Sequence, residues 1–152
     1  MGDLTEHFSK SEFECRVGGK PHGCGARISL RVVRALENCR ADKRVKYIRV
    51  NSGCRCMEHP ESIKRARAGK KPSYHNPQKD GFCHAADIVM YGHDGKPLSL
   101  PIQYEIAKSE PVFRDGGIGV YPDWHTPGLH VDDGPCRRWT RKNGIYTSGI
   151  HF

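Results

Sequence analysis

The chain has 152 residues, a modest apolar share and a formal charge of +8. That describes one globular domain, 1–152, long enough to bury a core without covalent staples. No stretch approaches the roughly 18 apolar residues of a membrane span, so a transmembrane helix is not expected.

The first element in chain order is a short helix carrying Phe13, opened by the capping box Ser9-Lys10-Ser11-Glu12. A Gly-rich loop, Val17 to Gly23, follows. Ser29 is placed as the N-cap of a helix with an apolar stripe of Leu30, Val33 and Leu36, ending near Arg40. Val45 to Val50 is β-branched and aromatic enough for a strand, and Asn51-Ser52-Gly53 breaks it. Glu58 to Ala68 reads as a helix with Pro60 in its first turn, and Gly69 to Gly81 as loop. Ala85 to Met90 is an apolar run expected to be a buried strand. A turn at Gly92–Gly95 precedes a helix starting at Ser99-Leu100-Pro101. Gly117–Tyr121 and Gly128–Val131 read as two more strands. The basic tail after Arg137 fits no element. Helices early and strands late indicate an α+β fold, with helices packed on a small antiparallel sheet.

The positive charge favours polyanionic surroundings. Its densest run, Lys64 to Lys71, has no interleaved aromatics and reads as a solvated helix end, so no nucleic-acid partner is expected. The chain is expected to be a monomer. The seven cysteines, an odd number, leave at least one thiol unpaired. Cys54 and Cys56 with His59 lack a usual zinc-finger spacing and an evident second ligand pair. Cys15 and Cys24 flank the Gly-rich loop as a bridge or a small metal clip, and the sequence does not choose between them.

Chemistry concentrates in three pieces: Ser73-Tyr74-His75, Ala85-Ala86-Asp87-Ile88 and Leu129-His130-Val131-Asp132. His75, Asp87 and His130 form a nitrogen/oxygen set suited to one Zn²⁺ ion, with a fourth position left for water or substrate. Residues two apart on a strand face the same side, so His130 and Asp132 project together. Asp132 is placed either to hold a ring nitrogen of a ligand histidine or to take a proton from bound water. Ser73 is placed to orient His75.

In order and wording these pieces resemble the zinc D-Ala-D-Ala carboxypeptidase family, whose pattern is Ser-x-His, Ala-x-Asp, His-x-Asp. Around them, Asn51-Ser52-Gly53-Cys54-Arg55, Cys56-Met57-Glu58-His59 and Gly116-Gly117-Ile118-Gly119-Val120-Tyr121-Pro122 resemble further family elements. Leu4-Thr5-Glu6-His7-Phe8 resembles the start of phage-type members, and Gly134-Pro135 with Arg138-Trp139 resembles cell-wall endopeptidases of the same clan. The likeness covers about residues 4–139 and leaves 140–152 as tail.

The resemblance implies a hedgehog/DD-peptidase-like fold and zinc on His75, Asp87 and His130. It implies Arg55 in the site, facing a substrate carboxylate or oxyanion, with Ser73 and Tyr121 as further substrate contacts. The implied substrate is peptidoglycan peptide at the bacterial cell wall or in the periplasm. The N-terminus lacks the layout of a secretory signal, so a phage origin or another export route is expected.

Two departures stand out. The twelve-residue step from His75 to Asp87 is longer than the family's, which makes His84 a rival ligand. Pro127 occupies the position where several relatives carry the general base, leaving Asp132, His125 and Asp123 as candidates in that order. Without a base, the site would bind zinc without hydrolysis, the behaviour ascribed to the related hedgehog signalling domain.

Overall fold

The computed structural model describes all residues, Met1–Phe152. Helix α1 (Lys10–Phe13) leads into a miniature hairpin, β1 (Arg16–Val17) and β2 (Lys20–Pro21). Then come β3 (Arg27–Ile28), α2 (Leu30–Arg40), β4 (Tyr47–Ser52) and α3 (Pro60–Arg67). After a long loop follow β5 (Phe82–Cys83), β6 (Ala85–Tyr91), α4 (Leu100–Ser109) and α5 (Pro111–Arg114). The chain closes with β7 (Gly117–Tyr121), β8 (Gly128–Asp132), β9 (Arg137–Lys142) and β10 (Ile145–Ser148). No helix is long and apolar enough to cross a membrane.

The fold is mixed α+β. Its sheet is not the small antiparallel one expected: six strands run in the order β10-β9-β7-β8-β6-β4, and β7 pairs with β9 in parallel. The cause lies in the unplaced tail. After β8 the chain passes the end of β7 and returns on its far side as β9, then turns at Asn143 and Gly144, both at positive φ, into β10.

Alternation divides the sheet into two faces. Ile48, Val50, Ile88, Met90, Ile118 and Leu129 join one buried cluster with Val32, Val33 and Leu36 of α2, Ile106 of α4 and Phe113 of α5. Each such side chain contributes about 1.5–3 kcal/mol by leaving water. Buried Gln103 of α4 fixes the layers' register: it accepts from the Met90 amide at 3.0 Å and donates to the carbonyls of Leu98 and Pro127.

The opposite face carries Asp87 and Val89 of β6, His130 and Asp132 of β8, and Arg137 and Trp139 of β9. Gly119 lies directly across from both His130 and Trp139. A β-carbon there would come within 2.3 Å of the Trp139 ring, so glycine lets the indole lie flat on the sheet beside His130. Gly119→Ala should destabilise the fold by about 1–3 kcal/mol through overpacking. A chemical-denaturation midpoint equal to wild type would refute that placement.

Candidate metal centre

His75, Asp87 and His130 converge although they lie far apart in sequence. Asp87 and His130 are cross-strand partners in the β6–β8 ladder, which points both side chains from the same face. His75 arrives from the long loop, held by its backbone: its carbonyl accepts from the Arg55 amide at 2.7 Å, and its amide donates to Ser73 Oγ at 3.3 Å. Ser73 therefore sets the turn rather than the imidazole. Asn76, 1 % exposed, locks the same corner, donating to the Arg55 carbonyl and Ser62 Oγ and accepting from the Ser73 amide.

The outer nitrogen of each histidine fixes which inner atom faces the cluster. His75 Nδ1 meets the Gly53 carbonyl, which can only accept, so Nδ1 carries the proton and Nε2 presents a lone pair. His130 Nε2 meets Asp132 Oδ2 at 2.8 Å, leaving Nδ1 as the inward atom. His75 Nε2 and His130 Nδ1 lie 3.2 Å apart, and 3.2 and 3.1 Å from Asp87 Oδ1. A tetrahedral zinc ion with bonds of about 2.0–2.1 Å has ligand edges of about 3.3 Å, so the three atoms form one face of such a tetrahedron. The other Asp87 oxygen accepts from Arg55 Nη2 at 3.0 Å, which leaves a single oxygen for a metal. Two lone pairs at this separation repel unless a cation or a proton lies between them.

Asp132 is fully buried and saturated. Besides His130 it accepts from Arg137 Nη2 at 2.6 Å and from the amides of Gly117 and Gly134. It anchors a ligand histidine, and its position as leading candidate base is corrected accordingly: no oxygen faces the open side. Asp123 accepts from Arg141 and the Gly144 amide, tying its loop to the β9–β10 turn. His125 is exposed and lines a cavity of about 190 Å³ with Arg49, Asn51, Tyr91 and Trp124. Asn51 also borders a second cavity of about 260 Å³ containing Glu14, Arg16, Arg55 and His59. The two depressions thus share Asn51, near the end of β4.

His84, the rival ligand, points away. Its ring lies between Asp133 and Asp80, at 2.9 and 2.7 Å, and pins the extra residues of the loop. His59 caps α3 by accepting from the Glu61 amide. Tyr121 stacks on Trp124 at 4.4 Å, and its hydroxyl accepts from Trp139 Nε1, so it builds the wall beside the site. Sequence reasoning missed Arg137 and Asn76. Arg137, besides gripping Asp132, lies over the rings of Tyr74 and Trp139.

The charges are strongly coupled. Burial alone would raise the Asp87 carboxyl, but the two imidazoles reverse this and hold it well below the usual carboxylate range. Burial lowers His75. Burial would lower His130 as well, yet its hydrogen bonds to Asp132 and Asp87 win and raise it to about 9. Without metal, His130 therefore keeps a proton below about pH 9, while burial favours the neutral form of His75. A metal must displace that proton, so apparent affinity should rise about tenfold per pH unit up to about pH 9 and then level off. Calorimetry at pH 7.5 in buffers of different ionisation heat should read about one proton released per ion bound; no release would refute the assignment. The same shift stabilises the metal-free fold below about pH 6.5, a contribution lost as pH rises through about 9.

Comparison of the chain with protein-family models, with curated proteins and with solved structures finds no match.

Proposed function

We propose that the protein is a zinc-dependent peptidase acting on the stem peptides or cross-links of bacterial peptidoglycan. The observation that carries this is the three-atom face formed by His75, Asp87 and His130, with both imidazoles oriented from behind and Arg55 at its edge. The ordered motif likeness to D-Ala-D-Ala carboxypeptidases points the same way, and a hedgehog/DD-peptidase-like topology is part of the proposal. Zinc held there would polarise a scissile carbonyl and acidify water at its remaining position. Arg55 would receive a substrate carboxylate or the developing oxyanion. Asp132 keeps His130 in its ligating tautomer, and Trp139 and Tyr121 wall the site. His125, exposed on the neighbouring cavity, is the candidate left to accept a proton. Purified cell walls incubated with the protein should release stem-peptide fragments, and a chelator should stop the release. Walls left intact by zinc-loaded protein would overturn the proposal.

A second reading has its own support. Asp132 and Asp123 are engaged elsewhere and Pro127 offers no carboxylate, which fits a zinc-containing wall-binding or phage structural module. That reading expects zinc-loaded protein to sediment with walls without cleaving them.

A further inference from the structure

Residues 16–25 are all exposed, and the two strands among them have two residues each. A hairpin this short is not stable by itself in water, and no apolar side chain from those residues enters the core. Yet the arm is shaped to bring four soft donors to one point. The register pairs Arg16 with Pro21 and Val17 with Lys20, so continuing the ladder sets Cys15 opposite His22. Gly18 and Gly19, at φ of 59° and 77°, make the turn, and Gly23 and Gly25, at 72° and 75°, fold Cys24 back beside them. Cys56 approaches from the loop after β4, its amide donating to Cys15 Sγ at 3.3 Å. One ligand atom from each of Cys15, His22, Cys24 and Cys56 lies within 4.8 Å of all the others.

The spacing fits a metal better than a disulfide. Cys15 and Cys56 sulfurs are 3.9 Å apart, and His22 Nε2 lies 3.4 Å from Cys56 Sγ and 2.9 Å from Cys15 Sγ. A zinc tetrahedron has edges of about 3.8 Å between sulfurs and about 3.6 Å between sulfur and nitrogen, which the Cys15–Cys56 and His22–Cys56 separations approach and the Cys15–His22 one undercuts, whereas a disulfide needs about 2.05 Å. Three thiolates and one imidazole also complete the coordination, with no position left for water. We propose that Cys15, His22, Cys24 and Cys56 form a second, closed zinc site that pins the N-terminal arm to the loop carrying Arg55. Because Cys56 adjoins Arg55, the site fixes the backbone from which that guanidinium reaches Asp87.

The test is metal content and cobalt spectroscopy on the full chain. Wild type should bind two zinc ions per chain, and its cobalt form should show thiolate-to-metal charge-transfer absorption. Cys15→Ser with Cys24→Ser should lose one ion and that absorption. Should this variant misfold, His22→Cys provides the second arm: it should keep two ions and the band, because a fourth thiolate replaces the imidazole. His75→Ala should lose one ion and keep the band, which separates this site from the proposed catalytic one; absence of wall cleavage would leave that result untouched. One zinc per chain together with a Cys15–Cys56 disulfide in the intact mass would overturn the proposal, as would a cobalt form without thiolate absorption.

Discussion

Asp87→Asn should strip the metal from the His75–His130 centre and abolish any turnover that depends on it. The substitution is nearly isosteric, so the effect is one of charge. The buried carboxylate faces two imidazoles and Arg55 Nη2, and an amide removes the only negative charge in contact with all three. Losing an outer partner of a ligand costs about 10–100-fold in metal affinity; losing an anionic ligand should exceed that. The free fold should also weaken, by about 3–5 kcal/mol if Arg55 stays in place as an uncompensated charge. Arg55 is nearly a quarter exposed, so it can swing toward water and reduce this cost. Zinc titration and thermal unfolding of the metal-free protein read the two effects separately. Metal affinity equal to wild type would remove Asp87 from the ligand set.

The three pieces of the candidate centre stood out in the sequence by local signatures, but it was their ordered likeness to a known family, not their spacing, that joined them into one set. Ala-Ala-Asp-Ile marks a buried strand broken by one acid, and His-Val-Asp places two polar side chains on one face of another. What the sequence lacked was the pairing of β6 with β8, which sets Asp87 against His130 and leaves His84 to the carboxylates of Asp80 and Asp133. The tail was not legible for a physical reason. In β9 Arg137, Trp139 and Arg141 alternate with Arg138 and Thr140, so each face carries arginine, and the one buried residue is the polar Thr140. Such a strand has no hydrophobic period to read, and its parallel pairing with β7 is a long-range event. Arg137, which grips Asp132, went unnoticed for the same reason. The cysteine cluster was only half legible: Cys15 and Cys24 stood out as a bridge or small metal clip, but the intervals to His22 and Cys56 match no contiguous motif, and it takes the hairpin register, the turns at Gly23 and Gly25 and the loop after β4 to bring all four together.

Both clusters act on the short segment from Gly53 to Cys56. The Gly53 carbonyl fixes the His75 tautomer, Cys54 donates its amide to the Phe13 carbonyl, Arg55 reaches Asp87, and Cys56 belongs to the thiol group. A β-carbon at Gly53 would strike the Phe13 backbone at 2.7 Å, so the segment lies tightly against α1. Displacing the N-terminal arm would therefore be transmitted to Arg55 through adjoining backbone, and to His75 through its hydrogen bonds with the Gly53 carbonyl and the Arg55 amide.

If the centre holds zinc and hydrolyses peptides as proposed, Arg55→Lys should leave the zinc in place and cost about 10²–10³-fold in kcat, the scale of losing one oxyanion donor. The native guanidinium divides its work: Nε donates to Ser52 Oγ at 3.1 Å and Nη2 to Asp87 Oδ2 at 3.0 Å, which orients the planar fork and leaves Nη1 for a substrate oxygen. An ammonium keeps the charge but not the fork. It can stay with Asp87, which preserves the metal ligand's partner and hence zinc affinity, or reach toward substrate, but not both in a fixed geometry. The signature is thus a selective loss: metal content within about twofold of wild type, kcat strongly reduced. If zinc fell along with kcat, Arg55 would be a support for Asp87 alone. Turnover equal to wild type would remove it from the reaction altogether.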